Sequence, residues 1–65
     1  MMSLRTYYDE HVRIVDTNGR VFIGVVDDYF FPEDNENGFE SIVIKTTSGD
    51  CYEFTEESIV EIAIM

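Results

Sequence analysis

The chain has 65 residues, of which 45% are hydrophobic and 14% aromatic, and this apolar content predicts one folded domain over residues 1–65 and excludes a disordered chain. Its 4 Lys/Arg and 14 Asp/Glu residues give a formal net charge of −10, which disfavours phosphate backbones and favours cationic partners. The single cysteine excludes an internal disulfide, and without a signal-peptide core or transmembrane run we expect a cytoplasmic location and no membrane partner.

The N-terminal stretch has a helical pattern. Apolar and aromatic side chains recur at helical spacing from Leu4 to His11, and Ser3 is placed to cap a first turn. We therefore predict a short helix over residues 4–10. The opening Met1-Met2-Ser3-Leu4 is expected to include an added leader, which has no part in the functional argument.

Two strands joined by a tight turn follow. Residues 12–17 alternate apolar and polar, which places Val12 and Ile14 toward the core. Asn18-Gly19 then separates this run from a second apolar run, and that dipeptide is a strong hairpin signal. The sequence therefore predicts an antiparallel pair of strands.

Residues 19–31 form the longest run of strand-forming residues. Its apolar side chains fall on both alternation classes, so the pattern predicts a strand buried on both faces. The two classes are Val21, Ile23 and Val25 on one face and Phe22, Val26 and Phe30 on the other. A strand bent at Gly24, contributing to two sides of a small barrel, is the simplest way to bury both.

The second half of the chain alternates turns and short strands. Residues 32–38 are polar and predict an exposed connection, and residues 39–47 predict a strand with Ile42 and Ile44 on one side and Val43 on the other. The remaining predicted elements are a turn at 48–50, a strand at 51–54 with Tyr52 and Phe54 inward, a helical turn at 55–58 capped by Thr55, and a strand at 59–65. Consecutive hairpins of this kind predict an all-β fold, a small five-stranded, strongly bent antiparallel barrel of the SH3-like or Sm-like type with a short N-terminal helix.

Two motifs resemble the Sm/LSM family. Gly19-Arg20-Val21-Phe22-Ile23-Gly24 places a second glycine after four residues, and Asp34-Asn35-Glu36-Asn37 gives an acidic, asparagine-containing turn after the second strand. The family has an N-terminal helix and five bent strands, and its members close rings through strands four and five. The resemblance implies the same assembly here, and it implies that Asp34, Asn35 and Asn37 contact single-stranded RNA.

The chain departs from the family pattern at two places. The asparagine-containing turn comes a few residues late, as if Phe31-Pro32-Glu33 were inserted. The basic pair that the family has between strands four and five is replaced by Thr55-Glu56-Glu57-Ser58. Because carboxylates repel phosphates, the resemblance supports the barrel and its assembly more than it supports RNA binding.

Three further groups of residues are candidate sites. Residues 33–38 resemble the start of an EF-hand loop, but Ile44 stands where the bidentate glutamate is required, so a solvated loop is favoured over a calcium site. Asp27 and Asp28 point to opposite faces of a strand, which favours one solvent-facing carboxylate and one bonded to a backbone amide over acid/base catalysis. His11 and Cys51 lack any signature of a Cys-His nucleophile, and a structural role for both is favoured.

The aromatic residues have two possible uses. They could stack on nucleic-acid bases, but without interleaved lysines and arginines core packing or a protein interface is favoured. The set comprises Tyr7, Tyr8, Tyr29, Phe30, Phe31 and Tyr52.

The last strand predicts self-association. Residues 59–65 are apolar on both faces, Glu61 is their only charge, and neither proline nor lysine protects an exposed edge. The predicted oligomer interface is therefore Val60, Ile62 and Ile64.

The sequence as a whole predicts a non-enzymatic Sm-like binding or scaffold module that forms homo-oligomers, with a ring as one form. It predicts no catalytic residue, cofactor or metal, and a protein with a basic surface as a further partner. One alternative is an RNA-binding Sm-like protein that uses the turn at 34–37, and a weaker one is a small regulatory subunit of a larger enzyme.

Overall fold

The computed structural model describes residues 3–65 as one antiparallel β-sheet with short 3₁₀ helices. The strands within these residues are β1 (His11–Asp16), β2 (Val21–Phe30), β3 (Ser41–Lys45), β4 (Cys51–Thr55) and β5 (Ile59–Ile64). The 3₁₀ helices are Leu4–Tyr7, Pro32–Asp34 and Glu56–Ser58. The predicted all-β class and the order of the five strands are confirmed.

The strand order shows that the sheet is curled. The order across the sheet is β4-β3-β2-β1-β5, so β4 and β5 lie at opposite edges. Four strand spacings would separate these edges by roughly 19 Å in a flat sheet. Only Glu56–Ser58 connects the two strands, and such a link spans at most about 14 Å. The sheet therefore bends into a barrel-like shape, as the sequence predicts.

The core lies on the inner face of this curled sheet. Val12 and Ile14 of β1 are fully buried, as their alternation predicts. Ile42 and Ile44, which share one side of β3, are fully buried as well. The other buried apolar residues are Leu4, Val26, Phe54 and Ile59. Leu4 is thus part of the core. The expected leader also included Met1 and Met2, which lie outside the described residues.

Strand β2 is buried on one face only. Phe22 and Val26 point inward, but Val21, Ile23 and Val25 are exposed, so the prediction that both faces are buried is wrong for this set. The sheet curls around one layer of side chains, and no second layer covers its outer face within residues 3–65. The strand pattern alone did not show which face has a neighbour.

Gly24 and the irregularity of β2 are separate features. A Cβ atom on Gly24 would lie 2.5 Å from the carbonyl oxygen of Lys45, so glycine allows β3 to approach closely. The register of β2 against β3 shifts between Val26 and Asp28, which leaves Asp27 as the extra residue of a β-bulge. Asp28 Oδ1 accepts a hydrogen bond from the Tyr29 amide at 2.9 Å, which confirms a backbone-bonded carboxylate at this point.

The N-terminal helical segment is shorter than predicted. Ser3 caps it as expected, because its hydroxyl accepts a hydrogen bond from the Arg5 amide at 3.3 Å. The 3₁₀ helix ends at Tyr7, and Asp9 then adopts a left-handed conformation with φ of 67°. That reversal directs the chain into β1 and prevents the helix from continuing to residue 10.

The two tight turns lie where the sequence predicts them, but the predicted capping of the last helical turn by Thr55 is wrong. Gly19 and Gly49 have φ of 79° and 90°, as turns that favour glycine require. Thr55 makes no side-chain capping bond. The Ser58 hydroxyl instead donates to the Thr55 carbonyl at 2.8 Å, because a single 3₁₀ turn brings residue i+3 back over residue i.

Candidate functional site

The most prominent functional feature is a pair of open strand edges. Within residues 3–65, β4 pairs only with β3 and β5 pairs only with β1. Each strand therefore has one side whose backbone groups have no ladder partner among the described residues. Strand edges of this kind accept a further strand.

The side chains of β5 divide into two groups. Val60 and Ile64 are 66% and 53% exposed, so these two predicted interface residues face solvent beside the open edge. Ile62 lies opposite Ile14 and packs against the core. Val60 is the extra residue of a register shift near Asp16, which accounts for its outward position.

The β4 edge borders an aromatic groove. The ring of Phe22 lies 5.0 Å from the rings of both Tyr52 and Phe54, at tilted and edge-to-face angles that aromatic pairs prefer. Tyr52 is also partly exposed. These rings help to line a groove of about 480 Å³ between β4 and the β1–β2 turn, which Asp16 and Ser58 also border. The groove lies where the barrel is not closed by strand pairing.

The predicted RNA-contacting turn lies at the opposite end of β2 from that groove. Asn35 Nδ2 donates to the Phe39 carbonyl at 2.7 Å and to Ser41 Oγ at 3.1 Å. Asn37 Oδ1 accepts a hydrogen bond from the Phe39 amide at 2.9 Å. The two asparagine side chains therefore shape the loop, while Asp34 is exposed at the end of its 3₁₀ helix.

This loop borders a second groove of about 600 Å³. Asn35 and Asn37 line it together with Thr55 and Ser58, so the structure brings two of the predicted residues to the β4–β5 connection. The carboxylates of Glu36 and Glu53 also line it, and they would repel the phosphates of an RNA strand. Across residues 3–65, no group of three or more His, Cys, Asp or Glu side chains is arranged to hold a metal ion.

His11 and Cys51 lie far apart on one face of the sheet. His11 is opposite Val25, Val25 is opposite Lys45, and Lys45 is opposite Cys51. Three strand spacings along this row amount to roughly 14 Å, which is well beyond hydrogen-bond distance. The arrangement does not bring these residues together as a nucleophile and a base.

Glu40 is a site that the sequence interpretation missed. Its Oε1 accepts hydrogen bonds from Ser3 Oγ and Tyr29 OH at 2.8 Å and from the Leu4 amide at 3.2 Å, and the residue is buried. Burial alone would raise the pKa of Glu40, but the bonds from Tyr29, Ser3 and the backbone together lower it. Burial and the bond to Glu40 raise the pKa of Tyr29. The sequence missed this site because a buried glutamate beside a turn has no signature that distinguishes it from an exposed glutamate.

Two aromatic residues extend this N-terminal contact. The guanidinium of Arg5 lies 5.5 Å from the ring centre of Phe31, and that ring meets Tyr29 edge-on at 5.1 Å. The first 3₁₀ helix is therefore attached to the chain just after β2 by a cation–π contact, as well as through Glu40.

Comparison with family models, curated proteins and solved structures finds no match for this chain. In the part of the chain from residue 3 onward, no helix is long and apolar enough to cross a membrane.

Proposed function

We propose that this protein is an Sm-like binding and scaffold module, not an enzyme, and that it forms homo-oligomers by pairing its strand edges. The proposal rests on one observation: the curled sheet leaves β4 and β5 unpaired on one side each, and exposed Val60 and Ile64 lie beside the β5 edge.

The two edges suit a head-to-tail contact. Strand β4 has five residues and β5 has six, so the β4 edge of one copy offers a ladder of matching length to the β5 edge of the next. Because the two edges are different surfaces, such pairing is heterologous, and it closes into a ring when the rotation between copies allows. Pairing would also bring the neighbour's apolar β5 side chains toward Tyr52.

Burial gives the driving force. A chain of this size buries only about 60% of the surface that its unfolded form exposes, so its own core is small. Covering Val60 and Ile64 adds apolar burial, at roughly 25 cal/mol per Å² removed from water. The net charge of −10 opposes association, and this repulsion predicts tighter assembly at higher salt. The exposed thiol of Cys51 is compatible with the reducing cytoplasm that we propose as the location.

Light scattering on the purified protein tests this proposal. We expect an oligomer at tens of micromolar protein, and we expect Val60→Lys to weaken assembly at least tenfold, because the added charge would lie at the paired edge. The matched control is Phe39→Lys, which adds the same charge at a partly exposed residue in the loop before β3. A parent protein that stays monomeric at high micromolar concentration contradicts the proposal, and so does equal dissociation by both variants.

The alternatives have less support. RNA binding would need the asparagine side chains of the loop to exchange their internal hydrogen bonds for bonds to bases, beside two carboxylates. A regulatory subunit of a larger enzyme would use the same open edges toward a different chain. Both stay predictions.

A further inference from the structure

The outer face of β2 is a continuous apolar stripe. Val21, Ile23 and Val25 are 49%, 43% and 38% exposed and occupy alternate positions on the same side of one strand. Single exposed apolar residues are ordinary on protein surfaces, whereas interaction surfaces have contiguous apolar patches.

The neighbouring strands enlarge this stripe in register. Val15 of β1 lies opposite Val21, and Ala63 of β5 lies two strands away in the row that contains Ile23. We call the rows that contain Val21, Ile23 and Val25 the β2 face. No segment of residues 3–65 packs over it, since the core contacts all lie on the inner side of the sheet.

The charges on the β2 face differ from those of the rest of the chain. Its rows contain two of the four Lys/Arg residues, Arg13 and Lys45. Arg13 lies opposite Ile23, and Lys45 and His11 lie on either side of Val25. They contain one of the 14 acidic residues, Glu61, which pairs with Arg13 at 3.2 Å. Asp27 also lines the depression beside Lys45. The face is therefore apolar, and Arg13 and Lys45 form a basic rim that has Glu61 and Asp27 beside it.

Lys45 is the free cation of this rim. Among residues 3–65 its ammonium group makes no ion pair, although the chain is rich in carboxylates. It borders a shallow depression of about 270 Å³ that His11, Val25 and Asp27 also line. A carboxylate that docked here would give Lys45 the ion-pair partner that it lacks among residues 3–65.

We propose that the β2 face docks a short aliphatic segment of a partner protein, with a carboxylate of that segment paired to Lys45. The aliphatic side chains would cover Val21, Ile23 and Val25. A membrane or a nucleic acid would present many anionic groups beyond the basic rim and meet the negative field of the whole chain, whereas a short segment meets the rim alone. This docking is independent of the proposed assembly, because strand-edge pairing extends a sheet and leaves its faces open.

The experiment is selection from a displayed library of random 16-residue peptides on the folded parent protein. Peptides that also bind the Ile23→Thr/Lys45→Gln double variant are removed. Threonine keeps the β-branched shape of an exposed strand residue, so the double variant should fold, and circular dichroism checks this. We expect the enriched peptides to share aliphatic residues with at least one Asp or Glu.

A synthetic copy of the best peptide then gives the decisive measurements. We expect Ile23→Thr and Lys45→Glu each to raise its Kd at least tenfold. Exchanging the peptide's acidic residue for lysine should restore binding to Lys45→Glu, because the swap re-forms the ion pair with reversed signs. Val60→Lys should leave peptide binding unchanged, which separates this proposal from the proposed assembly.

Several results would overturn the proposal. These are no enrichment over the double variant, enriched peptides without Asp or Glu, and no rescue by the charge swap. Binding of vesicles of equal phosphatidylcholine and phosphatidylglycerol, or of oligouridine, that is lost in the double variant would assign the β2 face to a lipid or a nucleic acid instead.

Discussion

Glu40 shows how one residue can attach a terminal segment to a small barrel. Its carboxylate accepts bonds from Ser3, from the Leu4 amide and from Tyr29, so one buried group joins the N-terminal turn, β2 and the chain just before β3. The same contacts hold Leu4, which is fully buried, in the core. Removing the carboxylate would leave one buried and two part-buried donors without this acceptor, which costs more than the loss of an exposed hydrogen bond.

The stability that Glu40 provides should depend on pH. Hydrogen bonds hold its pKa in the folded state below the ordinary value of 4.5, so its contribution is fully present above that value and is lost as pH falls through the folded pKa. We expect Glu40→Gln to lower the free energy of unfolding by about 1–2 kcal/mol at pH 7. Urea unfolding of parent and variant between pH 7 and 3 should show this difference shrinking toward acid. A difference that is constant with pH would show that charge is not involved.

Gly24 is a second residue at which a small change has a large expected effect. A Cβ atom 2.5 Å from the Lys45 carbonyl would force β2 and β3 apart, so we expect Gly24→Ala to cost about 1–3 kcal/mol. Gly19→Ala is the comparison, because that position has open space and only a positive φ, with an expected cost of about 1 kcal/mol. Urea unfolding would contradict this account if Gly19→Ala were the more damaging change.

At the scale of elements, the loop before β3 is organised by its asparagines. Asn35 ties the loop to the Phe39 carbonyl and to the Ser41 hydroxyl, and that hydroxyl donates in turn to Glu53 Oε2 at 3.0 Å. A chain of side-chain bonds therefore links the loop through β3 to the open strand β4. The groove of about 600 Å³ that Asn35, Asn37 and Glu53 line depends on these hydrogen bonds for its position.

The loop offers a test that separates structural from solvated polar residues. We expect Asn35→Ala to lower the free energy of unfolding by about 1 kcal/mol, because it removes two hydrogen bonds, one of them part-buried. Replacing Glu33, Asp34 and Glu36 by Gln, Asn and Gln should leave stability unchanged or raise it, since exposed like charges repel one another. Thermal melts with and without calcium check both points, and a calcium-dependent rise in the parent's Tm would reveal an ion site instead.

At the scale of the whole molecule, charge decides between the alternative functions. Four Lys/Arg residues among 14 acidic ones can release few counterions from RNA, and Arg13 and Arg20 are already paired with Glu61 and Asp16. The groove beside the proposed RNA-contacting loop is bordered by the carboxylates of Glu36 and Glu53.

We therefore expect weak binding of labelled oligouridine, with a Kd above micromolar at physiological salt. Fluorescence anisotropy at low and physiological salt measures it, and an Asn37→Ala variant tests whether any binding uses the loop. A sub-micromolar complex at physiological salt that Asn37→Ala weakens would favour the RNA-binding alternative over the assembly module.

Local features of the chain were determined by the sequence. Alternation placed Val12 and Ile14 in the core and Ile42 and Ile44 on one common face, and Asn18-Gly19 fixed the first hairpin. These predictions succeed because strand periodicity and turn conformation depend on residues that are close together in the chain.

What lies on each face and edge was decided only by the tertiary structure. Val21 and Ile23 have the pattern of buried residues but face outward, because the curled sheet has one inner layer and nothing covers its other side among residues 3–65. Glu40 has the pattern of a solvated loop residue but is buried, since its partners come from segments up to 37 positions away. Val60 and Ile62 would share a face in a regular strand, but Val60 faces solvent while Ile62 packs against the core, because the β-bulge near Asp16 makes Val60 an extra residue of β5. Such outcomes depend on which segments meet in space, and a local pattern contains no information about its distant neighbours.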